Sequence, residues 1–301
     1  MILVAVPALL LAAASLAAFL GAWWWPLDLL TSFRPQYAAV LGLLGAVLVA
    51  ARWRRIGLVV LGACLVNAVT LVPLFLPTEP SPGGSEVRIV SFNLFASNEE
   101  YEAVAGFIRD SNADLVFLHE ASRPWEEAIA EADLGYTIVK TRTDDLIFGT
   151  LVLHRGDATI TSRGFAIADR RAVEVQMAGL AVLAIHPVAP TTAQRASLRD
   201  AQMRFAADWA SARSGPVVVV GDFNASPWSH AFRTLLRVGG LENSQRGFGI
   251  DASFPATGSS LLRIPIDHLL YGDGVAVIDR RLGPALGSDH FPLTVDLTVN
   301  G

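Results

Sequence analysis

Three long apolar stretches fill the start of this chain, at about residues 2–22, 37–53 and 56–76, and no other feature restricts its architecture so strongly. About 20 apolar residues at 1.5 Å per residue cross the roughly 30 Å hydrocarbon layer of a bilayer. Only Asp28, Arg34, Arg52, Arg54, Arg55 and Glu79 carry charge in the first 80 positions, and Trp23, Trp24 and Trp25 close the first stretch where an aromatic belt sits. The expectation is three transmembrane helices, which excludes a wholly water-soluble chain. The alternative for the first stretch is a cleaved signal peptide, against which stand the lack of a basic leading region and the two further apolar stretches that follow. Arg52, Arg54 and Arg55 lie between the second and third stretches, so that turn is expected in the cytoplasm. An odd number of spans then delivers everything after Leu76 to the opposite side.

Residues 77–85 (PTEPSPGGS) are too polar for lipid and too poor in side chains to pack, so they read as a linker. The body, 86–301, is long enough for one substantial core. Positions 81–301 hold 19 basic and 26 acidic residues, a balance with no general attraction for polyanions, which disfavours nucleic acid as a partner. Cys64 is the sole cysteine, excluding an intramolecular disulfide and a cysteine-cluster zinc site.

Strands are expected at 87–92, 115–118, 150–153, 172–175, 181–185, 217–220, 266–271 and 293–297. Helices are expected at 99–110, opened by a Ser97-x-x-Glu100 capping box, and at 191–213. Strands outnumber helices without alternating with them, which points to a mixed-sheet sandwich with outer helices. Four strands end on residues that are costly to bury: Asn93, the pair His119-Glu120, His186, and Asp222 with Asn224. Asp222 and Asn224, two apart in an extended segment, share a face, while Phe223 packs away. Asp267 at a strand start, and Asp289-His290 in a loop before the last strand, add two carboxylates and an imidazole. Strand ends converging on one polar site would explain all of them.

The run N-L-F-A, L-H-E-A-S, I-H-P, V-V-G-D-F-N-A-S-P-W-S, P-I-D-H and G-S-D-H-F-P, from about Val87 to Val299, resembles the endonuclease/exonuclease/phosphatase superfamily in its membrane-anchored bacterial branch. The resemblance implies a four-layer α/β sandwich of the DNase I type. It also implies a divalent-metal-dependent phosphoesterase that hydrolyses phosphodiester or phosphomonoester bonds of a lipid-linked or nucleic-acid substrate. Carried over residue by residue, it makes Glu120 the principal metal ligand, with Asn93 and Asp289. Asp267 would orient His290, the pair activating water or steadying phosphoryl oxygens. Asp222 and Asn224 would align nucleophile and phosphate, and His186 would donate to a phosphoryl oxygen or the leaving group. Whether Asp222 or His290 is the base stays open. Oxygen donors fit Mg²⁺, or Mn²⁺, better than Zn²⁺.

The partners so implied are a phosphate-ester substrate and the lipid bilayer, with no protein partner inferable. The implied location is the bacterial inner membrane, with the catalytic domain on the periplasmic side. The alternative is a noncatalytic membrane receptor or scaffold on the same fold. Two positions depart from the family: His119 stands where Gln is common and is expected to be structural, and 252–256 replaces a Thr-Trp-Pro segment of the substrate loop. Arg163, Arg170, Arg171, Arg246 and Arg263 read as solvated loop charges.

Overall fold

The computed structural model describes residues 1–76, 83–141, 149–164 and 171–300 and divides into two compact units. Most of the expected linker (77–82) lies outside the described residues, as does Arg170. Unit one comprises Met1–Pro77 with two later segments, Ala225–Arg233 and Arg246–Gly249.

In unit one, α1 (Ile2–Ala17), α2 (Trp25–Leu30), α3 (Arg34–Ala50) and α4 (Arg54–Leu71), extended by short 3₁₀ turns, form three runs long and apolar enough to cross a membrane: Ile2–Leu20, Trp25–Ala50 and Arg54–Phe75. The second run starts a dozen residues before the expected 37. Pro26 sits in the first turn of α2, where its missing N–H costs nothing, and a 3₁₀ turn at Thr31–Phe33 carries the chain on into α3. Arg34 therefore lies inside the bundle rather than between spans. Its Nη1 donates to Ser15 O and to Asn67 Oδ1, and Asn67 Nδ2 donates to Ser15 Oγ, so one buried polar cluster ties three helices together. At the α3–α4 crossing a side chain on Gly57 would come within 2.9 Å of Val49 N, so only glycine allows that approach.

The later segments of unit one meet the ends of the spans. Asp28 Oδ1 accepts from His230 N at 2.7 Å, Trp228 Nε1 donates to Thr70 O, and Gly247 and Gly249 N–H groups both donate to Leu74 O.

Unit two holds two six-stranded sheets. The strands of the first are β1 (Ser85–Asn93), β2 (Leu115–Ala121), β3 (Thr137–Lys140), β4 (Gly149–His154), β11 (Val275–Leu282) and β12 (Leu293–Val299), in the order β11-β12-β1-β2-β4-β3. Those of the second are β5 (Ala158–Gly164), β6 (Arg171–Met177), β7 (Leu180–Ile185), β8 (Val217–Asp222), β9 (Glu242–Asn243) and β10 (Asp267–Tyr271), in the order β5-β6-β7-β8-β10-β9. Only the central pairs, β1–β2 and β7–β8, are parallel. β7, most of β8 and the first four residues of β2 are written as unbroken apolar runs, and β1, though it carries Glu86, Arg88 and Ser91, is buried from Ile89 on, because these central strands are covered on both faces. Helices α5 (Tyr101–Ser111) and α6 (Arg123–Glu131) pack on the first sheet through Val104, Ile108, Trp125 and Ile129. Helix α7 (Ala193–Ser211) contacts β8 of the second sheet, and α8 (His230–Gly239) begins in unit one. This is the expected mixed α/β sandwich.

The helix near 99–110 starts at Tyr101, and no side chain caps it through a Ser97–Glu100 box. Asn98 Oδ1 instead accepts from Glu100 N, an Asx turn that sets the chain for helix entry. Thr192 caps α7 as a side-chain acceptor for Arg195 N.

Arg163 is not a loop charge: it lies on β5 and, with its side chain partly exposed, pairs with Glu174 on the neighbouring strand. Glu174, buried, also accepts from Trp209 Nε1 at 3.0 Å and Arg213 Nη2 at 2.6 Å. Burial pushes this carboxyl up, but the hydrogen bonds from Trp209, Arg163, Gln176 and Arg213 outweigh it and hold it at about 2, against an ordinary 4.5. A depressed carboxyl contributes stability that is present above its unfolded pKa and is lost as the pH falls through the folded value. Glu174 should thus stabilise the fold near neutral pH, a contribution lost as the pH falls from about 5 to about 2. Glu174→Gln should remove this contribution, and thermal unfolding of the full chain in detergent should show a lower midpoint at neutral pH and a flatter acid limb.

Candidate active site

Parallel strands carry their C-terminal ends to the same edge, and here both parallel pairs end in polar side chains. β1 ends at Asn93, β2 carries Glu120, β7 runs into His186 and β8 ends at Asp222. β10, antiparallel to β8, begins there: Asp267 pairs with Asp222 across the ladder. Gly221 makes the close β7–β8 approach possible, since a methyl there would run into the Ile185 carbonyl and its φ of +143° suits glycine alone.

Glu120 is aimed by a local irregularity. The β2–β4 register shifts between Leu118 and Ala121, and Glu120 sits there at φ +56°, a left-handed conformation that costs about 1 kcal/mol or more in a non-glycine residue. The bulge turns its carboxylate toward the strand ends. There Oε1 lies 3.4 Å from Asn93 Nδ2 and 3.7 Å from His186 Nε2, while Oε2 accepts from Ala96 N.

Asp222 is the hub. Its Oδ2 accepts from Asn93 Nδ2 at 3.1 Å, lies 3.4 Å from His186 Nε2 and 3.8 Å from His290 Nε2, and its Oδ1 accepts from Asn224 N at 2.8 Å. Burial pushes this carboxyl up; the His290 charge, with hydrogen bonds from His186 and Asn224 N, overrides it and holds the group far below the carboxylate range. Asn224, at φ +49°, turns its amide Nδ2 to Pro187 O at 3.1 Å as well as toward Asp222. On the far side His290 Nδ1 meets Asp267 Oδ2 at 2.8 Å, and His290 Nε2 is 4.0 Å from Asp289 Oδ1. Burial works against charging His290, but Asp267 first and Asp222 next raise it to about 10. Asp289 is pushed up by burial and by the Glu120 and Asp222 charges, against a lowering by His290.

All eight expected residues, Asn93, Glu120, His186, Asp222, Asn224, Asp267, Asp289 and His290, thus join one network. His119 is buried, with its Nδ1 3.2 Å from Thr150 Oγ1, and His268 is buried edge-on to Phe223. The sequence reading passed over the supports. Ser288 Oγ donates to Asn93 O and accepts from His290 N; Ser253 Oγ accepts from Asp267 N; Arg280, fully buried, donates to Asp267 O, Ser244 and Asp251. Small serines and a lone strand arginine carry no signal of such roles in sequence, although Ser288 stands within G-S-D-H. Arg263 is likewise not a loop charge in water: it donates to Pro255 O and Ala256 O and lies over the Phe291 ring.

The donor set fits a hard divalent cation. Four carboxylates, Glu120, Asp222, Asp267 and Asp289, crowd one site, and Asp289 is pushed up by its burial first and by the Glu120 and Asp222 charges in addition. Asp222, Asp267 and His290 also place one potential ligand atom each within 4.8 Å of one another. A ring held between two carboxylates keeps its second proton, however, which favours the oxygen-rich side at Glu120 and Asp289.

The family model described as Endonuclease/Exonuclease/phosphatase family matches residues 90–290. A structure titled endonuclease/exonuclease/phosphatase from Beutenbergia cavernae DSM 12333 is similar at 19% identity, covering 72% of each chain with a TM-score of 0.57. D. rerio TDP2 complexed with single strand DNA product is similar at 14% identity, over 71% of this chain and 100% of that one, with a TM-score of 0.60. A Bacteroides thetaiotaomicron mannosyl-6-phosphatase is similar at 15% identity, over 70% and 99%, with a TM-score of 0.52. No curated protein matches the chain.

In the presence of chelator, His290 should remain an imidazolium through neutral pH and titrate near 10. The stabilisation from its Asp267 contact should be whole below the unfolded histidine value and fade as the pH rises through the folded one. Asp267→Asn should bring the midpoint down by more than one unit, read by ¹⁵N NMR of the histidine rings. An unshifted midpoint would mean that Asp267 does not set it.

Proposed function

We propose that this chain, which belongs to the endonuclease/exonuclease/phosphatase family of ester-bond hydrolases, is a membrane-anchored phosphoesterase that uses Mg²⁺, or Mn²⁺ in its place. It hydrolyses phosphodiester or phosphomonoester bonds. The observation that carries this reading is the unbroken network from Asn93 and Glu120 through Asp222 to His290 and Asp267, whose residue types and order match the family's motifs.

Glu120, with Asn93 and Asp289, would hold the cation. A bound divalent ion supplies positive charge to phosphoryl oxygens and so stabilises the transition state. Asp222, an acceptor fixed by donors from Asn93, His186 and Asn224, would align the attacking water, although a carboxyl held so far below the ordinary range is a weak base. His290, flanked by Asp267 and Asp222, holds its proton and donates to a phosphoryl oxygen. His186 would donate to another phosphoryl oxygen or to the leaving group.

The membrane assignment is supported by the three apolar runs, and the periplasmic orientation by the Arg52, Arg54 and Arg55 turn. On this reading the chain is an integral protein of a bacterial inner membrane. Residues 1–76 form its membrane region, 77–85 the linker and 86–301 the catalytic domain, although 225–233 and 246–249 pack with the helices.

Glu120→Gln keeps side-chain volume and removes the charge that would hold the cation. Mg²⁺-dependent hydrolysis of bis(4-nitrophenyl) phosphate by the full chain should fall by at least about 10²-fold, with the unfolding midpoint retained. Undiminished turnover at limiting Mg²⁺ would remove Glu120 from the metal site.

A further inference from the structure

One loop of unit two carries an apolar surface that the chemistry above leaves without a role. Residues 257–262 (TGSSLL) are all exposed and uncharged, and a 3₁₀ turn at Ser260–Leu262, capped by Ser259 Oγ accepting from Leu261 N, presents Leu261 and Leu262 side by side at 77% and 61% exposure. Isolated exposed leucines are ordinary, but an adjacent pair on a braced tip is not explained by chance exposure.

The base of the loop is fixed to the catalytic residues. Phe254 and Ile264 pair across it, and Arg263 clamps Pro255 O and Ala256 O. The Phe254 ring lies 4.9 Å from the His290 ring, Ala256 N donates to Asp289 O at 2.6 Å, and Phe291 N donates to Ser253 O. A body touching Leu261 and Leu262 is therefore held at a set distance from His290 and Asp289.

Chain continuity identifies that body. Gly249 N donates to Leu74 O, at the end of the third apolar run, and the loop segment leaves from Ile250. The twelve residues from Gly249 to Leu261 reach at most about 40 Å when fully extended. The tip is thus tied, by no more than that length of chain, to the end of the third apolar run. Nucleic acid fits poorly, because the tip offers neither a cation for phosphates nor an aromatic ring for bases.

We propose that Leu261 and Leu262 enter the apolar edge of this bilayer, and that the phosphoester presented to His290 belongs to a membrane lipid. The inference rests on the phosphoesterase reading of the site, and its test separates the two. The full chain carrying Cys64→Ser and Leu261→Cys is labelled with nitrobenzoxadiazole and reconstituted into phosphatidylcholine:phosphatidylglycerol vesicles, with Asp157→Cys labelled as an exposed control.

The label at 261 should show blue-shifted emission, quenching by lipids bearing acyl-chain nitroxides and at least threefold less quenching by iodide than the control. Leu261→Ser with Leu262→Ser in the otherwise unchanged chain should lower the ratio of lipid-phosphate release from these vesicles to soluble bis(4-nitrophenyl) phosphate hydrolysis at least tenfold. Leu261→Phe with Leu262→Phe should restore that ratio. A label as open to iodide as the control overturns the inference, even if the soluble ester is hydrolysed. A lipid-buried label on a protein that hydrolyses neither ester overturns the phosphoesterase reading alone.

Discussion

A carboxylate with 1% exposure holds the polar ends of two sheets together. Asp222 ends β8 in the second sheet, yet its Oδ2 accepts from Asn93, which ends β1 in the first, and faces His186 and His290 as well. Burying an isolated charge there would cost several kcal/mol, a cost offset only when donors surround it in good geometry. Each donor is in turn fixed by what lies behind it: Asn93 by Ser288 on its carbonyl, Asn224 by Pro187 O, and His290 by Asp267. Removing any one leaves the Asp222 charge less compensated, so the site is ordered as a unit.

The sequence made this arrangement visible because parallel strands buried on both faces are written as continuous apolar runs. A polar residue at the end of such a run has few places to go except a shared site. β2, β7 and β8 contain runs of this kind and β1 is buried from Ile89 on, and their ends are where Asn93, Glu120, His186 and Asp222 stand. The strands that went unnoticed lie at the sheet edges: β3 and β5 are half-exposed, β9 has two residues, and β11 passes from three buried apolar residues to an exposed Ile278 and charges at Asp279, Arg280 and Arg281. Their hydrophobic signal is diluted by solvent-facing residues, and pairing with a neighbour decides their conformation. The bulge at Glu120 was not legible either, because it depends on the register against β4.

Charge misled the reading of the apolar region for a related reason. Arg34 marks a break between spans only if charged residues cannot enter the bundle, whereas Ser15 and Asn67 give its guanidinium partners inside it. Asp28 similarly finds the His230 N–H, contributed by a segment some two hundred residues later. Long-range partners of this kind leave no local trace. They also show that the apolar helices provide binding groups for 225–233, the segment that follows Asn224 directly in the chain.

The central claim is that a divalent cation is held on the Glu120 and Asp289 side of Asp222, leaving His290, protonated beside Asp267, to face the phosphoryl oxygens. Anomalous diffraction from Mn²⁺-soaked crystals of the full chain locates the ion without reference to turnover. The account predicts a peak within about 2.5 Å of a Glu120 carboxylate oxygen, with Nδ1 of His290 still on Asp267. A peak ligated only by Asp222, Asp267 and His290 would contradict it.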